Sequence, residues 1–81
     1  SEQADLDIAK HKKAGNKAVL NKIFAFIDEL YEHPFTGTGK PEALKYELVG
    51  RWSRRINKEH RLIYKVEEQT VFILSVYGHY S

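Results

Sequence analysis

Residues 37–61, GTGKPEALKYELVGRWSRRINKEHR, contain the point where the apolar period of the chain changes from the three-to-four of a helix to the two of a strand. Seven cations (Lys40, Lys45, Arg51, Arg54, Arg55, Lys58 and Arg61) stand there against three carboxylates (Glu42, Glu47 and Glu59). The stretch therefore carries +4 in a chain whose total is +2, and the remainder is acidic on balance. Positive charge gathered in one segment suits a polyanion site. A solvated strand-and-turn face is the alternative that charge alone leaves open.

Upstream, Ala4 and Ile8, with Leu6 to one side, give a narrow stripe for a helix over residues 1–14. Ser1 is its expected N-cap, Asp5 and Asp7 sit early, Lys10, Lys12 and Lys13 sit late, and Gly15 suits a left-handed close. Asn16 is then expected to cap a second helix over residues 17–32. In it Val19, Ile23, Phe26, Ile27 and Leu30 recur at helical steps, and Leu20, Phe24 and Tyr31 widen the stripe. His33-Pro34 stops it, because the residue before a proline is pushed out of the helical region. Residues 35–41, with their Thr-Gly-Thr-Gly run, read as a loop. Downstream, strands are predicted at residues 46–49, 51–56, 61–66 and 70–77. Connections this short make an antiparallel meander. The expected fold is α+β in one domain over residues 1–81, with two N-terminal helices on one face of an antiparallel sheet of about four strands. The other face is left open for a site.

Composition narrows the classes. The 81 residues are 42% apolar with ten aromatics, enough for a folded domain with a thin core. No cysteine is present, so neither a disulfide framework nor a thiolate metal site is available, and a reducing cytoplasmic setting is expected. The apolar runs are too short for a membrane span, and no signal-peptide pattern opens the sequence. With no methionine, the sequence is expected to begin after a processing step or a cut. His11, among lysines, reads as solvated, and His33 as a helix-end residue. His60, alternating with Leu62, reads as a satisfied semi-buried histidine, and His79 as a tail residue between tyrosines. No paired histidine spacing supports zinc, so no metal or other cofactor is expected. What remains is Glu42, several cations, a histidine and tyrosines. That set suits metal-free cleavage of an RNA phosphodiester, which needs a base for the 2′-hydroxyl, cations for the phosphate oxygens and an acid for the departing 5′-oxygen. Tyrosines can stack splayed bases.

Several motifs then occur in one register: Glu-x-Leu-Lys from Glu42, Leu-x-Gly-x-Trp-Ser-Arg-Arg-Ile from Leu48, Glu-His-Arg-Leu-x-Tyr from Glu59, and Gly-His-Tyr from Gly78. From Pro34 to Tyr80 the sequence resembles the Txe/YoeB toxins within the RelE-like superfamily. The resemblance implies a messenger-RNA interferase acting at the ribosomal A site and paired with a Phd/YefM-type antitoxin. It implies Glu42 as general base, His79 as general acid, Arg61 as the group that stabilises the transition state, and Tyr80 as an orienting residue. Lys45, Arg55, Lys40 and Tyr77 are the implied substrate-binding set. A homodimer is a further expectation, and a membrane is not. The family's short first strand is absent ahead of Ser1, which predicts an uncovered sheet edge. Gly78 replaces a bulky residue, which predicts a looser attachment for His79. A non-catalytic RNA- or partner-binding module and a ribosome-independent ribonuclease are the competing functions.

Overall fold

The computed structural model describes residues 1–78. Helix α1 is Glu2–Ala14 and α2 is Lys17–Leu30. The strands are β1 (Glu42–Ala43), β2 (Arg51–Arg55), β3 (Arg61–Glu67) and β4 (Thr70–Ser75), with a short 3₁₀ turn at Tyr46–Leu48. They form one antiparallel sheet in the order β1-β2-β3-β4. The Ser1 hydroxyl accepts from the Ala4 amide, and Gly15 closes α1 at φ 73°, as the caps predicted. Asn16 makes no side-chain cap on α2. Its amide is 3.1 Å from His11 Nδ1 instead.

The strand expected at residues 46–49 is a correction. Tyr46 takes φ 57°, and the Leu48 and Val49 amides bond three residues back to Lys45 and Tyr46. The reason is the turn. A strand at 46–49 followed by Gly50 alone leaves one residue to reverse the chain, and the tightest common hairpins need two. The pairing edge therefore moves upstream to Glu42 and Ala43, and residues 45–50 become the connection. The predicted count of four strands holds with a different first member.

One core lies between α2 and the sheet. Ile23, Phe26 and Leu30 from α2 meet Ile56, Leu62, Tyr64 and Val76, with Trp52, Val66, Val71 and Ile73 around them. Phe24 and Tyr31, expected to widen the α2 stripe, are exposed. The pairings Trp52↔Tyr64 and Arg54↔Leu62 keep one face of β2 and β3 on the helices. Along β4 strict alternation fails. Ile73 pairs with Tyr64 but Ser75 pairs with Ile63, which leaves Leu74 as an extra residue in a bulge. The bulge resets the period, so Val71, Ile73 and Val76 all reach the core.

Arg54 is the unexpected core member, with 0% of its surface exposed. Its guanidinium pairs with Glu29 and donates to the carbonyls of His33, Thr36 and Thr38. It lies 5.8 Å from the Phe26 ring centroid and 5.9 Å from that of Tyr64. Burial pushes the Glu29 carboxyl up, but the Thr38 amide, the Arg54 guanidinium and the Thr38 hydroxyl outweigh it and hold the group below its ordinary 4.5. Burial pushes the Tyr64 phenol above its ordinary 10.0, against the opposing pull of Arg54.

Arg54→Met should lower stability by about 3 kcal/mol in urea unfolding, because it strips one carboxylate and three carbonyls of a shared donor. Arg54→Lys should recover little of that, since an ammonium lacks the planar fork. A carboxylate with a folded pKa below its unfolded one contributes its stability in full above the unfolded value, and loses it as pH falls through the folded one. Stability should therefore decline on acidification below about pH 4.5, and Glu29→Gln should flatten that decline.

Candidate active site

The alternation of β2 decides which arginine faces solvent. Trp52, Arg54 and Ile56 point to the helices, so Ser53 and Arg55 point away from them. Directly opposite, Arg61 pairs with Arg55 and Glu42 pairs with Ser53. The four positions share the helix-free face. With Lys40 and Pro41 they line an open cleft of about 230 Å³, with Ser53 buried among them.

Each wall has a local cause. The Gly39 carbonyl accepts from the Arg55 amide at 2.7 Å, which docks the loop end on β2 and brings Lys40, Pro41 and Glu42 to the cleft. Gly39 takes φ 80°, and a Cβ there would lie 2.6 Å from Phe26 Cζ. Only glycine suits that crossing. The Arg61 guanidinium is held by its own turn, donating to the carbonyls of Asn57 at 2.8 Å and His60 at 3.2 Å. Asn57 Oδ1 in turn accepts from the Glu59 and His60 amides, an Asx turn that sets the β2–β3 connection. The cleft thus sets three cations beside one carboxylate, a charge balance that suits an anionic ligand.

Of the residues predicted for the site, Glu42, Lys40, Arg55 and Arg61 meet in this cleft. Lys45 borders a neighbouring concavity of about 500 Å³ that Glu42 also lines, along with Tyr46 and Leu48. Tyr77 stands apart from both. Its ring centroid is 4.8 Å from that of His11 and 4.6 Å from that of His60, and Lys10 Nζ lies 4.1 Å from it. His79 and Tyr80 lie outside the described residues. Among the described residues no three His, Asp or Glu side chains gather as a metal site.

Sequence reasoning missed Ser53 and Arg54, although the split of Arg54 and Arg55 between faces follows from strand period. It also placed His11 in solvent, whereas the residue is fully buried. The spacing of Ala4, Asp7 and His11 along one helix face was the available signal.

Two helices backing a four-stranded antiparallel sheet make the RelE-like toxin fold. Residues 2–80 match the YoeB-like toxins of bacterial type II toxin–antitoxin systems, and the chain belongs to that family. It is 46% identical over 66 residues to toxin YoeB of Synechocystis sp., covering 82% of this chain and 77% of the relative. To toxin YoeB of Escherichia coli K12 it is 45% identical over 65 residues, 80% of this chain and 77% of that one. Among solved structures, a YoeB/ParE toxin from Agrobacterium tumefaciens superposes with a TM-score of 0.93 at 33% identity, covering 99% and 94% of the two chains. The YoeB–YefM complex from Staphylococcus aureus gives 0.87 at 40% identity, with 99% and 92% covered.

Gly39→Ala should cost about 2 kcal/mol through backbone strain and the clash with Phe26. In amide NMR spectra the shifts should concentrate on residues 39–43 and spare β3 and β4.

Proposed function

We propose that this toxin is a messenger-RNA interferase that cuts its substrate in the ribosomal A site by acid–base chemistry. The observation that carries the reading is the meeting of Glu42 with Arg55, Arg61 and Lys40 in one cleft on the helix-free face. In the proposed reaction the Glu42 carboxylate takes the proton of the 2′-hydroxyl, and that oxygen attacks the adjacent phosphorus. Arg61, aided by Arg55 and Lys40, neutralises the charge that builds on the phosphate oxygens. The 5′-oxygen leaves with a proton from His79, while Tyr80 orients the scissile nucleotide. The products are a 2′,3′-cyclic phosphate, open to hydrolysis to the 3′-phosphate, and a 5′-hydroxyl end. Lys45, on the concavity that Glu42 shares, extends the phosphate track.

The partner reading follows the relatives. The Staphylococcus aureus toxin has been solved as a YoeB–YefM complex and as a YoeB dimer. For this chain we propose a YefM-type antitoxin and self-association on the same grounds, within a bacterial cytoplasm. No helix among the described residues is long and apolar enough to cross a membrane.

Glu42→Gln and Arg61→Ala should each slow cleavage of ribosome-bound message by roughly 100- to 1,000-fold while sedimentation with ribosomes is retained. Equal cleavage by parent and variants would overturn the assignments. A parent that binds ribosomes and cuts nothing would leave a binding module, and one that cuts naked RNA equally fast would remove the ribosome from the mechanism. For single-stranded RNA, the double variant Arg55→Gln/Arg61→Gln should flatten the slope of log affinity against log salt by about 1.4, two phosphate contacts' worth.

A further inference from the structure

The buried face of α1 is polar. Ala4, Asp7 and His11 are its buried residues, and two of the three carry functional groups that a core ordinarily excludes. Their spacing of four residues places Asp7 and His11 one above the other on the helix, and both address the same residue beyond β4. Asp7 Oδ2 accepts from the Val76 amide at 3.0 Å, and His11 Nε2 donates to the Val76 carbonyl at 2.8 Å. Two residues further on the pattern repeats from the β3 side. The Gly78 amide donates to His60 Nδ1 at 2.9 Å, and the Gly78 carbonyl accepts from the Arg61 amide at 2.9 Å. The segment leaving β4 is thus held at both peptide groups of Val76 and both of Gly78. Gly78 itself takes φ 75°, a conformation that suits its lack of a side chain. The looser attachment expected for His79 itself falls outside the described residues.

We infer that His60 is a positioning residue whose unprotonated Nδ1 fixes the chain directly ahead of His79, and that mild acid releases this hold. An imidazole nitrogen that accepts an N–H must carry no proton, which puts the neutral ring's hydrogen on Nε2. Protonation of Nδ1 sets a donor against the Gly78 amide and leaves that amide without an acceptor. Among the described residues, these groups surround the His60 ring. From α1, His11 meets the His60 ring edge-on at 4.7 Å, and Lys10 lies over the Tyr77 ring that packs on both imidazoles. Asp7 is committed to Val76. On the turn, Glu59 Oε2 is 3.9 Å from His60 Nε2 but largely in water. Arg61, next in the chain, donates to the His60 carbonyl. His11 is committed on both ring nitrogens, between Asn16 and Val76.

The kinetic arm rests on the nuclease reading, and a spectroscopic arm does not. In asparagine the side-chain carbonyl can take the place of Nδ1 without titrating, whereas glutamine places its amide nearer Nε2. His60→Gln should lower kcat on programmed ribosomes by roughly 10- to 100-fold with little change in KM, as small misplacements of a reacting group do. His60→Asn should recover most of that loss. The parent should lose activity on acidification within about pH 5 to 7, where imidazoles titrate, and His60→Asn should shift that loss down toward the carboxylate range. An unchanged kcat in His60→Gln, or an acid limb in His60→Asn that coincides with the parent's, would overturn the inference. In ¹⁵N spectra of the parent protein, the His60 ring should show an unprotonated Nδ1 at neutral pH, and the Gly78 amide should titrate with it. A Gly78 signal that stays still while His60 protonates would defeat the clamp even if the variants fail to fold. A parent that cuts no message at any pH would defeat the nuclease reading alone, with the ¹⁵N titration still judging the clamp.

Discussion

The guanidinium of Arg54 is the constraint on which the functional face depends. A fully buried cation in so small a domain is costly to desolvate, and it persists only with its donors nearly all engaged. Here Glu29 supplies the opposing charge and the carbonyls of residues 33, 36 and 38 supply the acceptors. Those carbonyls belong to a loop whose one large apolar residue, Phe35, packs on Trp52 and stays half exposed. The arginine therefore gives the loop a single shape, and the loop delivers Gly39 to the edge of β2. Everything that puts Glu42 opposite Ser53 follows from that docking. A charge in the core thereby organises a carboxylate on the surface.

Two adjacent arginines do opposite work because a strand turns each residue through half a revolution. Arg54 anchors the loop from beneath, and Arg55 lines the cleft above it with Arg61 alongside. The same period would have buried the wrong residues of β4 if it had run unbroken. The bulge at Leu74 spends one residue to bring Val76 back to the core, and so delivers the following segment to α1 at the right height. There the helix offers hydrogen-bonding groups in place of apolar ones. Helix α1 is less a core element than a bracket for the end of the sheet, which explains its narrow apolar stripe.

The two-layer layout, the two caps of α1 at Ser1 and Gly15, the helical stripe of α2 and the antiparallel pairing of β2, β3 and β4 were legible in the sequence, because each is written in local periodicity and turn chemistry. The membership of Glu42, Lys40, Arg55 and Arg61 in one site came from motif resemblance, and strand period supports it for the two arginines. Less was legible where residues obey partners far along the chain. Tyr46 has every strand preference, yet it sits exposed at positive φ because the hairpin needed residues for its turn. His11 looks like a surface residue among lysines and is buried because Val76 needed a partner for its carbonyl.

The amino-acid sequence by itself determined the elements, their order and the face on which a charged site would open, since burial follows the alternation of side chains along each strand. Tertiary structure alone decided that Arg54 is a core cation, that β1 lies at Glu42–Ala43, and that Asp7, His11 and His60 grip the backbone beyond β4. For these side chains the physical reason is the same. A polar group's place depends on which unpaired donor or acceptor the fold brings to it, and those partners lie 16 to 69 residues away in the chain.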